Sequence, residues 1–347
     1  MLVAFLLVLS LVSTPIATPL TPATFPDWVY PVGDSAVGRP LINNGFVYVA
    51  DSSGQVSAFD IEDGSLEWQG IPGAPASGDL AFFDDKLLVP AENGTLYVLD
   101  AHIGNVISAT SLGSEPLSLP LVLQTTLSVA DSAGTMTLLD RDTLAIRNQV
   151  VLGGPVETHG ALTETFAAYA TTSGILSVID VETGDFAWQA VVGSSSIHPL
   201  ALENSDILIG TDDGVLARYS IEDGSPTWQQ VLQSGNAIDY ARTPAGLLVT
   251  SEGGLVQNFD SDSGELIWSQ VIRGNGIFAS ESCEAQCFIA TDEGVIAMVS
   301  TETGDVQLIT VVAEGEDPPS IAADDDVLVV VTDAGDVMVW RLGTDDR

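Results

Sequence analysis

Polar and apolar positions along the chain follow one pattern that recurs every 40 residues. A short run rich in Val, Ala and aromatic residues ends in a glycine turn, and a second short run follows that ends in Asp or Ser. Short runs of this kind, bounded by Gly and Asp, are typical of strands joined by tight turns. The turn glycines repeat at intervals of 40, with one extra residue before the last: Gly54, Gly94, Gly134, Gly174, Gly214, Gly254, Gly294 and Gly335. No stretch after residue 23 has a helical period, so the pattern predicts an all-β protein.

Each unit carries two further marks after its turn glycine. A second glycine follows ten residues later in most units, whereas the third unit has Leu144 at that position. A tryptophan follows fourteen residues after the turn glycine in four units, as Trp68, Trp188, Trp228 and Trp268. We predict that these tryptophans, together with Trp28 ahead of the first unit, pack between neighbouring units. Other residues fill the remaining slots, which indicates that the position tolerates substitution.

The period and the two chain ends together predict a closed ring. Four strands of about six residues with four short turns make about 40 residues, which is typical of a β-propeller blade. An open solenoid is the alternative, but β-coils usually repeat at a shorter period. Trp28 lies 40 residues before Trp68 without Gly-turn strands of its own, and the last unit lacks a tryptophan strand. We therefore predict an eight-bladed β-propeller of four-stranded antiparallel blades, in which the N-terminal strand completes the last blade and removes exposed sheet edges.

The first residues indicate export. Leu2 to Val12 is apolar apart from Ser10, and it is too short to span a bilayer core of about 30 Å. It fits the apolar part of a signal peptide, which we assign to residues 1–23, with a linker over 24–26 and the propeller over 27–347. No other segment is long and apolar enough to cross a membrane. The protein is expected to be extracytoplasmic and, because the ring closes on itself, a monomer.

Charge narrows the possible partners. The chain has 48 acidic and 9 basic residues and a net charge of −39. Such a charge repels nucleic acid and anionic membrane surfaces. It also destabilises a compact state unless salt screens it, and at about 1 M salt the Debye length is only about 3 Å. The composition favours a salt-adapted protein, from a halophilic or marine archaeon, over an acidic secreted protein in ordinary salt.

The repeat itself resembles a known one. The stretch "GILSVIDVETGDFAWQ", with its turn Gly, its strand ending in Asp, its second Gly and its Trp, resembles the repeat of pyrroloquinoline-quinone-type propellers. The likeness extends from Asp27 to about Leu342, and the WD-repeat pattern fits less well because Gly-His and Trp-Asp pairs are absent.

That resemblance implies two branches of function. One comprises dehydrogenases that oxidise alcohols or sugars with the quinone and calcium. The other comprises non-catalytic scaffold propellers of the outer-membrane assembly lipoprotein type. We predict the second, a module without cofactor that binds an extracytoplasmic protein or polymer. The quinone- and calcium-dependent dehydrogenase is the alternative, and a platform for glycans or cell-wall polymers is a third possibility.

One register of the innermost strands is the candidate ligand site. Positions 40 residues apart hold Arg39, Asp79, His159 and Asp239, together with the uncharged Leu119, Pro199 and Ala279. These side chains are expected to line the central channel, either as a funnel for a small molecule or peptide or as a solvated channel wall. No Ser–His–Asp set is identifiable from spacing, so no catalytic residue is assigned.

The two cysteines are predicted to form a local disulfide. Three residues separate Cys283 from Cys287 in "SCEAQC", with no second cysteine pair and no nearby histidine. A zinc site needs more ligands than this spacing supplies, whereas an exported chain favours disulfide formation.

Overall fold

The computed structural model describes residues 25–156, 159–193, 196–201, 206–211, 213–232, 237–244, 246–279, 283–312, 318–324 and 327–342. The proposed signal peptide lies outside the described residues. All regular structure in the described residues is β-strand, in eight four-stranded sheets. The first half of the chain contains the strands β1 (Trp28–Pro31), β2 (Leu41–Asn43), β3 (Phe46–Ala50), β4 (Val56–Asp60), β5 (Leu66–Gly70), β6 (Ala81–Phe83), β7 (Lys86–Ala91), β8 (Thr95–Asp100), β9 (Val106–Ser111), β10 (Leu121–Leu123), β11 (Thr126–Ala130), β12 (Thr135–Asp140), β13 (Ile146–Val151), β14 (Ala161–Leu162), β15 (Phe166–Ala170), β16 (Ile175–Asp180) and β17 (Phe186–Val191).

The second half repeats the same four-strand order. It contains the strands β18 (Ser196–Ala201), β19 (Asp206–Thr211), β20 (Val215–Ser220), β21 (Pro226–Val231), β22 (Ala237–Thr243), β23 (Gly246–Ser251), β24 (Leu255–Phe259), β25 (Leu266–Val271), β26 (Gly276–Phe278), β27 (Gln286–Thr291), β28 (Val295–Ser300), β29 (Val306–Val311), β30 (Ser320–Ala323), β31 (Val327–Val331) and β32 (Asp336–Arg341). Blade 1 is β2–β5, blade 2 is β6–β9, and the numbering continues to blade 7, which is β26–β29.

Blade 8 confirms the predicted ring closure. Its sheet order is β1-β32-β31-β30, so the first strand of the chain pairs with the last. The pairing is antiparallel, with Trp28 opposite Val339 and Pro31 opposite Asp336. From β6 to β30 the innermost strands contact one another in sequence around the ring, and β30 of blade 8 contacts β2 of blade 1. The fold is the predicted eight-bladed all-β propeller.

The apolar core lies between the blades. Among the described residues, eight buried clusters occur, and each draws its side chains from two adjacent blades. The interface of blades 1 and 2, for example, joins Tyr48 and Trp68 of one blade to Leu87 and Leu99 of the next. Apolar burial at about 25 cal/mol per Å² therefore stabilises contacts between blades as well as each blade's own sheet.

Five tryptophans link successive blades by the same contact. The Trp68 indole N–H donates to the carbonyl of Ala101 at 2.7 Å, and Trp188 donates to Ile221 at 2.6 Å. In every case the acceptor lies 33 residues further on, in the next blade. The remaining three donors, Trp28, Trp228 and Trp268, follow the same rule, with Ile61, Ser261 and Thr301 as acceptors. These are the residues for which the sequence predicted an interblade role.

The second glycine of five units lies against these rings. Gly104 has a φ of +69°, and a Cβ placed there would lie 2.3 Å from Cε3 of Trp68. The left-handed backbone favours glycine, and the ring above it leaves no room for a Cβ. Leu144 is the exception, with a φ of 57°. The strand position facing Leu144 holds Ser108, which has no ring to collide with.

The predicted disulfide is present in blade 7. Cys283 and Cys287 are bonded to each other, with Cα atoms 5.3 Å apart. Cys287 is fully buried in the cluster between blades 6 and 7, and Cys283 packs against that cluster. The bond thus fixes the start of β27 to the core.

Loss of this bond is expected to have a modest effect because the loop is short. Replacing both Cys283 and Cys287 by alanine should lower the free energy of unfolding by about 2 kcal/mol, the entropic estimate for a loop of about five residues. Urea unfolding of the double variant beside the wild type, both with and without reductant, measures this. The double variant should not respond to reductant, and a loss above about 4 kcal/mol would show that the pair does more than close a loop.

Candidate functional site

The four ionisable residues of the shared register meet around the central axis. Only Asp239 lies within an inner strand, β22; Arg39, Asp79 and His159 lie in the segments directly before β2, β6 and β14. The prediction that all four lie on strands is therefore wrong for three of them. The physical reason is visible at Arg39, whose backbone N–H donates to Oδ1 of Asp79 in the neighbouring blade at 2.7 Å instead of joining its own ladder.

An ion pair crosses the channel. Nη2 of Arg39, in blade 1, lies 3.0 Å from Oδ2 of Asp239, in blade 6. Blades 1 and 6 are not neighbours in the ring, so the guanidinium has to reach over the axis. The Asp239 side chain is only 8% exposed, and it also accepts hydrogen bonds from the backbone N–H groups of Phe278 and Tyr240. A cation and hydrogen-bond donors together compensate the burial of such a carboxylate.

A second pair lies beside the first. Nε2 of His159, in blade 4, lies 2.8 Å from Oδ2 of Asp79, in blade 2. Gly38, with a φ of +72°, makes room for this carboxylate, because a Cβ at that position would lie 2.4 Å from Oδ1 of Asp79. The two pairs are joined through Arg39, which contacts both aspartates. We call these four residues the channel network.

Burial and pairing have opposite effects on the pKa of Asp79. Burial raises the pKa of its carboxyl, but the His159 hydrogen bond and the charges of His159 and Arg39 outweigh it, so the pKa lies below its ordinary value. A depressed carboxyl pKa adds stability that is present above the unfolded-state pKa of about 3.9 and is lost as the pH falls through the folded-state pKa.

This linkage predicts a pH-dependent defect in Asp79→Asn. At pH 7 the variant should unfold about 1–3 kcal/mol more easily than the wild type, since it loses the charge-assisted hydrogen bonds. The difference should shrink below about pH 4, where the wild type loses the same contribution. Urea unfolding at pH 7 and pH 3 measures it, with Glu67→Gln, an exposed site, as the control. A difference that is equal at both pH values would contradict the role of the Asp79 charge.

The channel network does not fit a calcium ion. Calcium takes six to eight oxygen ligands. The oxygens of Asp79 and Asp239 already face the N–H donors of Arg39, His159, Phe278 and Tyr240. No cluster of His, Cys, Asp or Glu suited to a metal occurs in the described parts of the chain. Cys283 and Cys287 are not adjacent, and they lie bonded in the core of blade 7 rather than at the axis.

A charged cluster that the repeat pattern did not predict lies between blades 5 and 6. Arg218 of β20 is 90% buried as a side chain, and its Nε lies 2.6 Å from Oδ2 of Asp206. Its Nη1 donates to the carbonyl of Ser261 at 2.6 Å and to Oδ1 of Asp262 at 2.8 Å. Burial lowers the pKa of this guanidinium, but the two carboxylates outweigh burial and leave the pKa above its ordinary value. The available signal was that Arg218 occupies a position that is apolar in most other blades.

The fold and a family model together define the class of protein: an eight-bladed propeller of the pyrroloquinoline-quinone type. The family model described as outer membrane protein assembly factor BamB matches residues 26–73, 69–197 and 147–347. The chain therefore belongs to this family, as the resemblance of the repeat predicted. No curated protein matches the sequence.

Solved structures share the fold at low identity. BamB from Moraxella catarrhalis is 19% identical, with a TM-score of 0.72 over 91% of this chain and 100% of that one. The quinohemoprotein alcohol dehydrogenase from Comamonas testosteroni is 13% identical, with a TM-score of 0.71 over 92% of this chain and 76% of that one. The computationally designed Ika8 protein is 15% identical, with a TM-score of 0.79 over 90% and 98%. These likenesses show the fold alone. Within the described residues, no helix is long and apolar enough to cross a bilayer.

Proposed function

We propose that the protein is a non-catalytic module that binds another polypeptide. The observation that supports this most directly is the channel network, whose two carboxylates are occupied by the protein's own cations and backbone N–H groups. Every carboxylate oxygen of this network already faces at least one donor, which disfavours a general base or a calcium ligand set at the axis. The proposed binding surface therefore lies on the outside of the ring.

The outer strands supply such a surface. Their last residues repeat as exposed apolar side chains, 48–78% exposed, in five consecutive blades: Val151, Val191, Val231, Val271 and Val311. The apolar residues at the starts of these strands, such as Phe186, are less exposed, at 36–51%. Each outer strand is also a sheet edge with unpaired backbone groups. An exposed apolar edge of this type pairs with an extended peptide strand.

The charge of the chain favours one chemistry for the proposed partner. At a net charge of −39, an extended segment with basic side chains between its apolar ones is attracted, and an acidic one is repelled. We assign the partner as an extracytoplasmic polypeptide of that chemistry. Export and adaptation to high salt are part of the same proposal, which rests on the apolar first residues and on the acidic composition.

Binding is tested with an eight-residue peptide of alternating Val and Lys, labelled for fluorescence anisotropy. Wild-type protein should bind it more tightly than a variant with Val151→Asp, Val191→Asp and Val231→Asp. The matched control carries Ile146→Asp, Phe186→Asp and Leu266→Asp at the other end of the outer strands, which adds the same charge. Equal loss in both variants would indicate charge alone and contradict an apolar edge site.

The dehydrogenase alternative is tested on the same preparation. Purified protein is mixed with pyrroloquinoline quinone and calcium, and dye reduction is followed with ethanol and with glucose. The expected result is no saturable change in the quinone absorption and no dye reduction. A bound redox-active chromophore that reduces dye with either substrate would overturn the non-catalytic proposal.

A further inference from the structure

The interface of blades 5 and 6 departs from the rest of the ring at two facing positions. At three other interfaces, one residue in the third strand of a blade faces one residue in the innermost strand of the next blade, and both residues are apolar. These pairs pack within one cluster each: Ala58 with Phe82, Val98 with Val122, and Leu138 with Leu162. The corresponding residues at the interface of blades 5 and 6 are Arg218 and Arg242. Two of the nine basic residues in the chain therefore replace one apolar contact.

Both arginines line a cavity of about 70 Å³. Leu208 and Asp206 lie on the blade 5 wall, while Thr243 and Gly246 lie on the blade 6 wall; Ser261 and Asp262 complete the lining. The space is sufficient for several water molecules or for a small polar group. At those three interfaces the equivalent positions hold packed apolar side chains instead.

The two arginines differ in how their charges are balanced. Arg218 is paired with Asp206 and Asp262, so both nearby carboxylates are already engaged. The Nε atom of Arg242 is buried and makes no hydrogen bond with any described residue. No ion pair joins its guanidinium to a carboxylate in the described part of the chain. The buried Nε–H of Arg242 is therefore an unsatisfied donor at the cavity, and a bound acceptor would satisfy it.

We propose that this cavity binds a small carboxylate, with Arg242 as its anchor. A carboxylate matches the planar fork of a guanidinium with two parallel N–H···O bonds, which a halide cannot form. It would satisfy the buried Nε of Arg242. The carboxylate comes either from a free organic acid or from a polypeptide, and the site is independent of the outer-strand surface proposed above.

Nuclear magnetic resonance of the arginine side chains tests the site in the full chain. Protein labelled with ¹⁵N-arginine has eight Nε–H signals, one for each arginine. Sodium acetate is titrated against sodium chloride at constant ionic strength. The Arg242 signal, assigned by its absence in Arg242→Val, is expected to shift saturably with acetate, while the signal of exposed Arg273 remains in place. Shifts of all eight signals without saturation, or saturation with chloride as well, would overturn the proposal.

Variants separate binding from folding. Arg242→Val recreates the apolar side chain found in blade 3, so it should fold with unchanged circular dichroism and bind acetate at least tenfold more weakly. Arg273→Val removes the same charge from an exposed site and should bind acetate as the wild type does. If Arg242→Val is unstable, Arg242→Gln, which keeps a polar side chain without the charge and leaves the Arg218 pairs intact, replaces it in the test. Undiminished acetate binding by either Arg242 variant would refute the assignment.

The source of the carboxylate is distinguished by two further probes. Tetra-alanine with a free C-terminus is compared with its C-terminal amide and with acetate. Tighter binding of the free-acid peptide than of acetate assigns the site to a polypeptide carboxylate, and the reverse order assigns it to a free acid. Equal binding of the amide and the free-acid peptide would mean that no carboxylate is recognised.

Discussion

Replacing Gly104 by leucine is expected to destabilise the protein by about 3 kcal/mol. The new Cβ would lie 2.3 Å from the Trp68 ring, and the side chain would have to adopt a φ of +69°. Overpacking costs about 1–3 kcal/mol, and a left-handed backbone costs a non-glycine residue about 1–2 kcal/mol. Urea unfolding monitored by circular dichroism measures the change.

The chain itself contains a unit with leucine in place of this glycine, and that unit suggests a second substitution that should compensate the first. Leu144 occupies the glycine position without a tryptophan opposite, because the preceding blade has Ser108 there. Trp68→Ser alone should cost about 3–5 kcal/mol through the cavity it leaves. Combined with Gly104→Leu it should cost at least 1 kcal/mol less than the sum, since contacting residues are not additive. Gly264→Leu combined with Trp68→Ser is the control and should be additive. Additivity in the first pair would refute the ring-against-glycine explanation.

Replacing Arg39 by methionine is expected to cost about 3 kcal/mol. Asp239 is 8% exposed, and without the guanidinium it remains a buried charge with only backbone donors. Removing one partner of a buried pair is destabilising by about 3–5 kcal/mol, and the 24% exposure of the arginine side chain places this case at the lower end.

The origin of that loss is tested by a second substitution. Asp239→Asn, added to Arg39→Met, should recover at least half of the loss because the uncompensated charge is gone. Arg273→Met breaks an exposed pair with Glu293 and should change the free energy of unfolding by less than about 1 kcal/mol. If Arg39→Met behaved like Arg273→Met in urea unfolding, the channel network would be a solvated channel wall that does not contribute to the free energy of unfolding.

Period and chain ends were enough to predict the blades, their number and the closure of the ring. The phase of 40 residues also identified the four members of the channel network. It could not identify their pairing, because a contact between Arg39 and Asp239 depends on the reach of a side chain across the axis, and no periodicity records that distance.

Exceptions to the repeat were visible in the sequence, but their causes were not. Leu144 replaces a glycine because of Ser108, which lies 36 residues earlier and in another blade. Arg218 and Arg242 are 24 residues apart, and only the stacking of blades shows that they face the same cavity. Predicting either contact requires knowing which residues of neighbouring blades face each other, and only the folded ring shows this.

Pairing of β1 with β32 also imposes an order on folding. A chain that emerges with its N-terminus first has to keep the Trp28 strand without its partner until residues 336–341 have appeared. Blades 1 to 7 are each built from consecutive residues and are able to form as they emerge, whereas blade 8 cannot. Ring closure is therefore the last event, and any truncation near residue 341 would leave an arc with two exposed ends instead of a slightly shorter propeller.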